Sequence, residues 1–244
     1  MTDEAFTIVI TSCGRFDLLR TTLASLFRTI DEAPARTILI EDSGDKGVVD
    51  AVGDLGKFIE VIVNERKLGQ MASIDRAYAM VSTPLIFHCE DDWEFYGADY
   101  IAHSRKLLSA HRNVSMVGLR ERGTLNPLLH DLPTRALDGI EYYLTDPSRH
   151  PEYFSYSFNP GLRRRGDYTR LGPFQSLGHE ADVSYAFKKA RYAMAYLENG
   201  VVRHIGDGRH VDDPQGPMRP RNPFQKMQRS ASKRLKRLVR RMTA

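Results

Sequence analysis

Residues 85–94 read LIFHCEDDWE. The run opens with apolar residues, the pattern of a buried strand, and closes on three consecutive carboxylates, Glu90, Asp91 and Asp92. Three like charges in a row repel one another, so the cluster is stable facing water or facing a cation. Hard divalent ions such as Mg2+ and Mn2+ take carboxylate oxygens and are completed by substrate phosphates. Taken alone, three acids past a strand make an ordinary solvated turn. Their reading is decided by what surrounds them.

The same grammar recurs upstream. Residues 6–11 (FTIVIT) read as a strand that ends on Thr11 and Ser12, and residues 36–40 (RTILI) as one that ends on Glu41 and Asp42. A third strand within residues 57–63 ends at Asn64. Between them, residues 15–27 place Leu18, Leu19, Leu23, Leu26 and Phe27 on one helical face, and residues 69–81 and 97–111 also read as helices. A further strand is expected at 114–119. Alternating strands and helices predict an α/β fold with a mostly parallel sheet flanked by helices. Polar clusters stand at the C-terminal ends of the strands, where open α/β sheets bind ligands, so one crevice is expected there.

The pattern weakens from about residue 120 to 167, which reads as a loop-rich half. Its aromatics, Tyr142, Tyr143, Tyr153, Phe154, Tyr156 and Phe158, are expected mostly in the core, with stacking on sugar rings as the other use for them and for Trp93. Arg163, Arg164 and Arg165 read either as a solvated charge run or as a contact for phosphate. Regularity returns with a helix at 180–191 and strands at 193–197 and 201–204.

Charge is unevenly spread. The 244 residues carry 35 Lys and Arg against 31 Asp and Glu. Ten of the basic residues lie from position 214 onward, where no acid is present, so the rest of the chain has 25 bases against 31 acids. That excludes a uniformly basic nucleic-acid-binding domain, and no nucleic acid partner is expected. Residues 214–223 hold four prolines and read as an extended linker. Residues 224–242 hold neither Pro nor Gly, and Met227, Ala231, Leu235, Leu238 and Met242 recur at spacings of three and four. A basic amphipathic helix of this kind suits an anionic membrane surface, or else packs on the domain or a partner subunit. Two cysteines, Cys13 and Cys89, make neither a disulfide framework nor a zinc cluster and suit a reducing compartment. The polar, acidic start is unlike a secretory signal, and no apolar run is long enough to span a bilayer. The expected location is the cytoplasm, with peripheral contact at the inner face of the cell membrane.

Residues 6–27, 38–44 (ILIEDSG), 61–72 (VIVNERKLGQMA) and 85–94 follow one another in the order and spacing of a GT-A glycosyltransferase of the family-2 type. The resemblance extends over about residues 6–205. It implies a GT-A (Rossmann-like) domain over residues 1–213, with a nucleotide-binding half to about 119 and an acceptor half from about 120, followed by the linker and basic helix of 214–244. It implies that Thr11, Ser12 and Arg15 meet the nucleotide in the first loop. Asp42 would hydrogen-bond the base, usually uracil, which favours a UDP-sugar. Asn64 opens the element before the next helix, and Lys67 and Gln70 lie near base and diphosphate. Asp92, with Glu90 and Asp91 beside it, lies where Mn2+ or Mg2+ bridges the diphosphate. Glu90 departs from the usual Asp of that triplet, and a longer carboxylate still reaches the ribose, or the metal through water.

Residues 177–187 (LGHEADVSYAF) resemble the helix start that carries the family's catalytic base, with Glu180 in the base position and Asp182 two residues on. A carboxylate there takes the proton of the attacking hydroxyl, and a helix N-terminus favours its ionised form. His204 falls where relatives place a metal ligand, with His210 as a competitor. The implied activity is metal-dependent transfer of a sugar from a nucleotide-diphosphate donor to a hydroxyl of a glycan or lipid-linked saccharide, with inversion by direct displacement. The alternatives are an inactive GT-A-like scaffold, a nucleotidyltransferase or a dehydrogenase. The turn after the first strand, Ser12-Cys13-Gly14-Arg15-Phe16, has neither the G-x-G-x-x-G of a dehydrogenase nor a glycine-rich basic loop.

Overall fold

Ile8 and Ile10 of strand β1 (Phe6–Ser12) pack on one side of the sheet and Val9 on the other, and none of the three reaches solvent. An apolar strand with both faces covered belongs in the middle of an α/β sheet. The computed structural model describes residues 5–212, residue 214 and residues 223–242, and puts β1 there. The sheet has nine strands in the order β3 (Glu60–Val63), β2 (Arg36–Glu41), β1, β4 (Leu85–Glu90), β9 (Gly161–Arg164), β6 (Val114–Gly118), β10 (Ala193–Leu197), β8 (Ile140–Leu144) and β7 (Arg135–Leu137). Only β9 and β8 run against the others, so the sheet is mostly parallel in direction. A separate antiparallel pair joins β5 (Trp93–Phe95) to β11 (Val202–His204).

Helices cover both faces. Leu19, Leu23 and Leu26 of α1 (Phe16–Thr29), with α2 (Val48–Val52) and α4 (Tyr100–Ala110), pack against Ile8, Ile10 and Phe87. On the other face α3 (Gln70–Ala79), α6 (Phe174–Leu177) and α7 (Glu180–Lys189) bury Ile74, Phe174, Val183 and Phe187 against Val9, Ile38 and Ile86. A short helix α5 (Arg165–Leu171) follows β9, and α8 (Pro223–Met242) ends the described chain. Most of the Pro-rich linker lies outside the described residues, as does Asp213. Among the described residues no helix is long and apolar enough to cross a membrane.

The stretch from 120 to 167 holds three strands where the sequence suggests loops, and β9 lies between β4 and β6, so the two halves share one sheet. Two features hide β9. Gly161 sits so close to β6 that a Cβ there would fall 2.2 Å from the Val117 carbonyl oxygen, so this position admits only glycine. Arg163 is charged yet only 1% exposed. Its guanidinium donates to Tyr156 Oη at 3.1 Å, Ser157 O at 3.0 Å and Asn159 O at 3.0 Å, with no carboxylate partner. Neither reading of the arginine run therefore holds for Arg163. Nor does it hold for Arg164, which donates to Val114 O at 2.7 Å and His111 O at 3.0 Å and so caps the end of α4. The aromatics Tyr142, Tyr143, Phe154, Tyr156 and Phe158 are buried as expected.

Candidate functional site

Strand order reverses at β1, whose neighbours are β2 and β4, so the connections from β1 and β4 leave in opposite directions and open a crevice beyond their C-terminal ends. A cleft of about 400 Å3 lies there. Its lining includes Thr11, Ser12 and Arg15 from the first strand and loop, Asp42 after β2, Lys67 and Gln70 before and at the start of α3, and Glu90, Asp91 and Asp92 after β4. His204, His210, Trp93, Arg120 and Asn159 complete the lining.

The three carboxylates of the triplet have different surroundings. Asp91 is buried and held by the chain: Ser12 Oγ donates to it at 3.1 Å, the Cys13 amide at 3.3 Å, and Arg15 forms an ion pair with it. Thr22 of α1 fixes the backbone beneath, donating to Asp91 O at 2.8 Å and accepting from the Trp93 amide at 3.0 Å. Glu90 accepts from Gln70 Nε2 at 2.8 Å. Burial, and then the neighbouring charges of Asp92, Glu180 and Asp91, push its carboxyl up to about 8. Burial pushes Asp91 up to about 6, against the pull of Arg15.

Asp92 lines the cleft with the other two and has one oxygen to spare. Its Oδ2 meets Arg15 at 2.7 Å and His204 Nε2 at 3.2 Å, while its buried Oδ1 has no hydrogen-bond partner among the described residues. The β5–β11 pair brings the histidine there, since His204 stands opposite Trp93 in register and its ring lies 5.0 Å from the indole. His204 Nδ1 in turn meets Asp207 at 2.9 Å. No group of three or more His, Cys, Asp or Glu side chains converges on a metal position among the described residues. What Asp92 and His204 provide is a carboxylate oxygen and an imidazole nitrogen side by side, a donor set that suits Mn2+ once phosphate oxygens or waters complete it.

Gly206 makes room for this arrangement. A Cβ on it would lie 2.5 Å from Asp92 Oδ2 and 2.8 Å from Asp92 Cβ. Gly206→Ala is expected to cost about 1–3 kcal/mol by overpacking and to shift the urea midpoint at unchanged slope. A variant as stable as wild type would mean that residues 205–206 slide away from Asp92 at no cost.

Two residues expected at the nucleotide serve the frame as well. Asp42 accepts from Asn64 Nδ2 at 2.7 Å and from the amides of Leu68 at 2.8 Å and Gly69 at 2.9 Å. A carboxylate has about four acceptor positions, so one remains on a residue that lines the cleft. Asn64 lies behind the cleft with no exposure, donating also to Ser73 Oγ at 2.9 Å and accepting from Arg76. The structure therefore does not bring Asn64 to the ligand space. Two further lining residues, Arg120 and Asn159, are not among those the sequence points to. Arg120 follows β6 and lies 5.3 Å over the Trp93 ring, so the rule that located the other strand-end residues also finds it. Asn159 carries no local signal.

Glu180 opens α7 and lies beyond the residues that line the cleft. Its Oε1 accepts from Ser157 Oγ at 2.8 Å and from the Phe158 amide at 3.2 Å, and its charge reaches Glu90. Asp182 is used differently. It completes a capping box with His179, accepting from the His179 amide at 3.1 Å, and it forms ion pairs with Lys236 and Arg240 of α8. Burial raises its pKa, but the bonds from Lys236 and Arg240 outweigh that and leave it below the ordinary range. The expectation that Asp182 shares in catalysis meets a carboxylate already spent on structure.

The profile of the family described as Glycosyl transferase family 2 matches residues 7–168, which run from within β1 into α5 and hold the whole acidic triplet. The chain belongs to this family. No curated protein matches it by sequence. Among solved structures, the family-2 chain is similar in fold to a mannosyltransferase from Pyrobaculum calidifontis in complex with GDP-Man and Mn2+. That match has a TM-score of 0.62 at 14% identity and covers 84% of this chain and 57% of the other. It is also similar to GalNAc-T7 with UDP, GalNAc and Mn2+, with a TM-score of 0.59 at 15% identity over 92% of this chain and 47% of the other. The chain thus spans about half the length of these structures. Both are GT-A glycosyltransferases, and the mixed, mostly parallel sheet of the family-2 chain has the same architecture.

Proposed function

We propose that this chain is a metal-dependent glycosyltransferase. It moves a sugar from a nucleotide-diphosphate donor to a hydroxyl of a saccharide, free or lipid-linked, with inversion at the anomeric carbon. The observation that carries the reading is the convergence of Asp92, with its spare buried oxygen, and His204 on one wall of a cleft that Arg15, Lys67 and Arg120 also line, with Glu180 held by Ser157, two residues before the Asn159 that lines the same cleft.

Asp92 and His204 would hold Mn2+ or Mg2+, which when bound supplies positive charge against the diphosphate leaving group. Arg15, released from one of its two carboxylates as the cation takes that place, would turn to phosphate, and Lys67 adds a second cation. The remaining acceptor position of Asp42 suits the N–H of uracil, which favours a UDP-sugar. Glu180 takes the proton of the acceptor hydroxyl on its Oε2, the oxygen that Ser157 and Phe158 do not hold. The acceptor oxygen forms a bond to the anomeric carbon as that carbon's bond to the diphosphate oxygen breaks, and the nucleoside diphosphate leaves with the electron pair. Ser157 and the Phe158 amide fix the Glu180 carboxylate on its other oxygen, which keeps the basic lone pair aimed.

Calorimetric titration of UDP, GDP and dTDP with and without Mn2+ tests the donor site. One diphosphate should bind with an affinity that rises on addition of Mn2+. If none of the three binds under either condition, the donor-site assignment fails and a scaffold becomes the better description.

A further inference from the structure

Helix α8 is docked the opposite way from an ordinary surface helix. It holds the domain with its charged side. Arg237 Nε meets Glu152 at 3.1 Å, Arg240 bridges Glu152 at 2.8 Å and Asp182, and Lys236 meets Asp182 at 2.5 Å. The Arg240 guanidinium also lies 4.4 Å over the Tyr185 ring. The apolar residues at helical spacing face away: Met227 is 63% exposed, Leu235 64% and Leu238 57%, with Ala231 exposed between them. At 100° per residue these four span an arc of roughly 80°, and Lys236 and Arg240 lie on the opposite side. The two faces thus have separate tasks, and no other described residue covers the apolar one.

We infer that this apolar stripe is a membrane-docking surface and that its occupant is a bilayer containing anionic lipid. Charge identifies the partner. From residue 214 onward the chain carries ten basic residues and no acid, whereas the rest has six more acids than bases and would be repelled by an anionic surface. The exposed Arg234 neighbours the stripe and can reach lipid head groups while Leu235 and Leu238 enter the acyl boundary. A helix of 20 residues lying flat offers about 30 Å of contact. Its ion pairs to Glu152 and Asp182 carry that contact to the domain. Asp182 stands in the first turn of α7, two residues beyond Glu180. On the reading of Glu180 as base, a domain docked on a bilayer in this way suits a lipid-linked saccharide as the acceptor class.

Flotation of the full chain with vesicles separates the possibilities. Vesicles of phosphatidylcholine with about 30 mol% phosphatidylglycerol should carry the protein up the gradient, and vesicles of phosphatidylcholine alone should not. Leu235→Glu with Leu238→Glu should weaken binding about a hundredfold, since each leucine loses its burial in the acyl boundary. Both side chains are exposed, so the double variant should titrate with UDP as wild type does. That readout is independent of vesicle binding: a wild-type chain that floats but binds no diphosphate leaves this inference standing and removes the donor site. No flotation with anionic vesicles overturns the inference. So does undiminished flotation of the double variant, which would make the contact purely electrostatic. A concentration-dependent dimer that the same substitutions disperse would also overturn it, by showing that a second copy covers the stripe.

Discussion

Asp92→Ala is expected to abolish the Mn2+-dependent part of nucleoside diphosphate binding and to lower kcat/KM at least about a thousandfold, roughly 4 kcal/mol of transition-state stabilisation. The size follows from the position. Among the carboxylates of the triplet, Asp91 is occupied by Ser12, Cys13 and Arg15, and Glu90 by Gln70, whereas Asp92 has a buried Oδ1 with no partner. The substitution also deprives His204 of the group beside its Nε2. A second consequence has the opposite sign. Without divalent cation the variant should bind UDP at least as well as wild type, because a negative charge facing the diphosphate is gone and Arg15 keeps only Asp91 as partner. Titrations of both proteins with and without Mn2+ read both effects. If the variant retains the wild-type response to Mn2+, the assignment of Asp92 as ligand is wrong.

How much of this was legible in the sequence depends on where each cause lies along the chain. The β1–β4 region is legible because its causes are local. Apolar runs such as FTIVIT and PLIFHC make buried strands wherever they fall, and polar residues just past them reach the crevice by topology alone. Glu180 is legible only through family resemblance, since a first-turn acid is common in any helix. The role of Asp182 is not legible, because its partners Lys236 and Arg240 come 54 and 58 residues later and their docking is a tertiary event. Asn64 shows a different limit. The resemblance places it in the element before α3, but a side chain that bonds Asp42, Ser73 and Arg76 at once acts by holding that element in shape. Arg163 shows the strongest limit. Nothing local distinguishes it from Arg165, and its burial depends on three acceptors, at Tyr156, Ser157 and Asn159, that the turn into β9 brings together.

That turn bears on the last expectation. Arg163 holds the carbonyls of Ser157 and Asn159, and the same short segment offers Ser157 Oγ and the Phe158 amide to Glu180 and sends Asn159 into the cleft. Glu180 is thus fixed by a rigid bracket that also forms a wall of the cleft. Glu180→Gln should therefore leave the fold and the diphosphate affinity almost unchanged, within about twofold, because an amide oxygen still accepts from Ser157 and Phe158. It should lower kcat about a thousandfold, within the range typical of losing a positioned general base. The separation of the two quantities is the informative part: a lost contact to donor would raise the Kd for diphosphate, whereas a lost base lowers turnover alone. Asp182→Asn is the control. That carboxylate is occupied by the His179 amide, Lys236 and Arg240, so its loss should loosen α8 while turnover of a soluble acceptor stays within about tenfold of wild type. Turnover by Glu180→Gln within tenfold of wild type would remove Glu180 from the chemistry. Deprotonation of the acceptor would then need another group at the cleft.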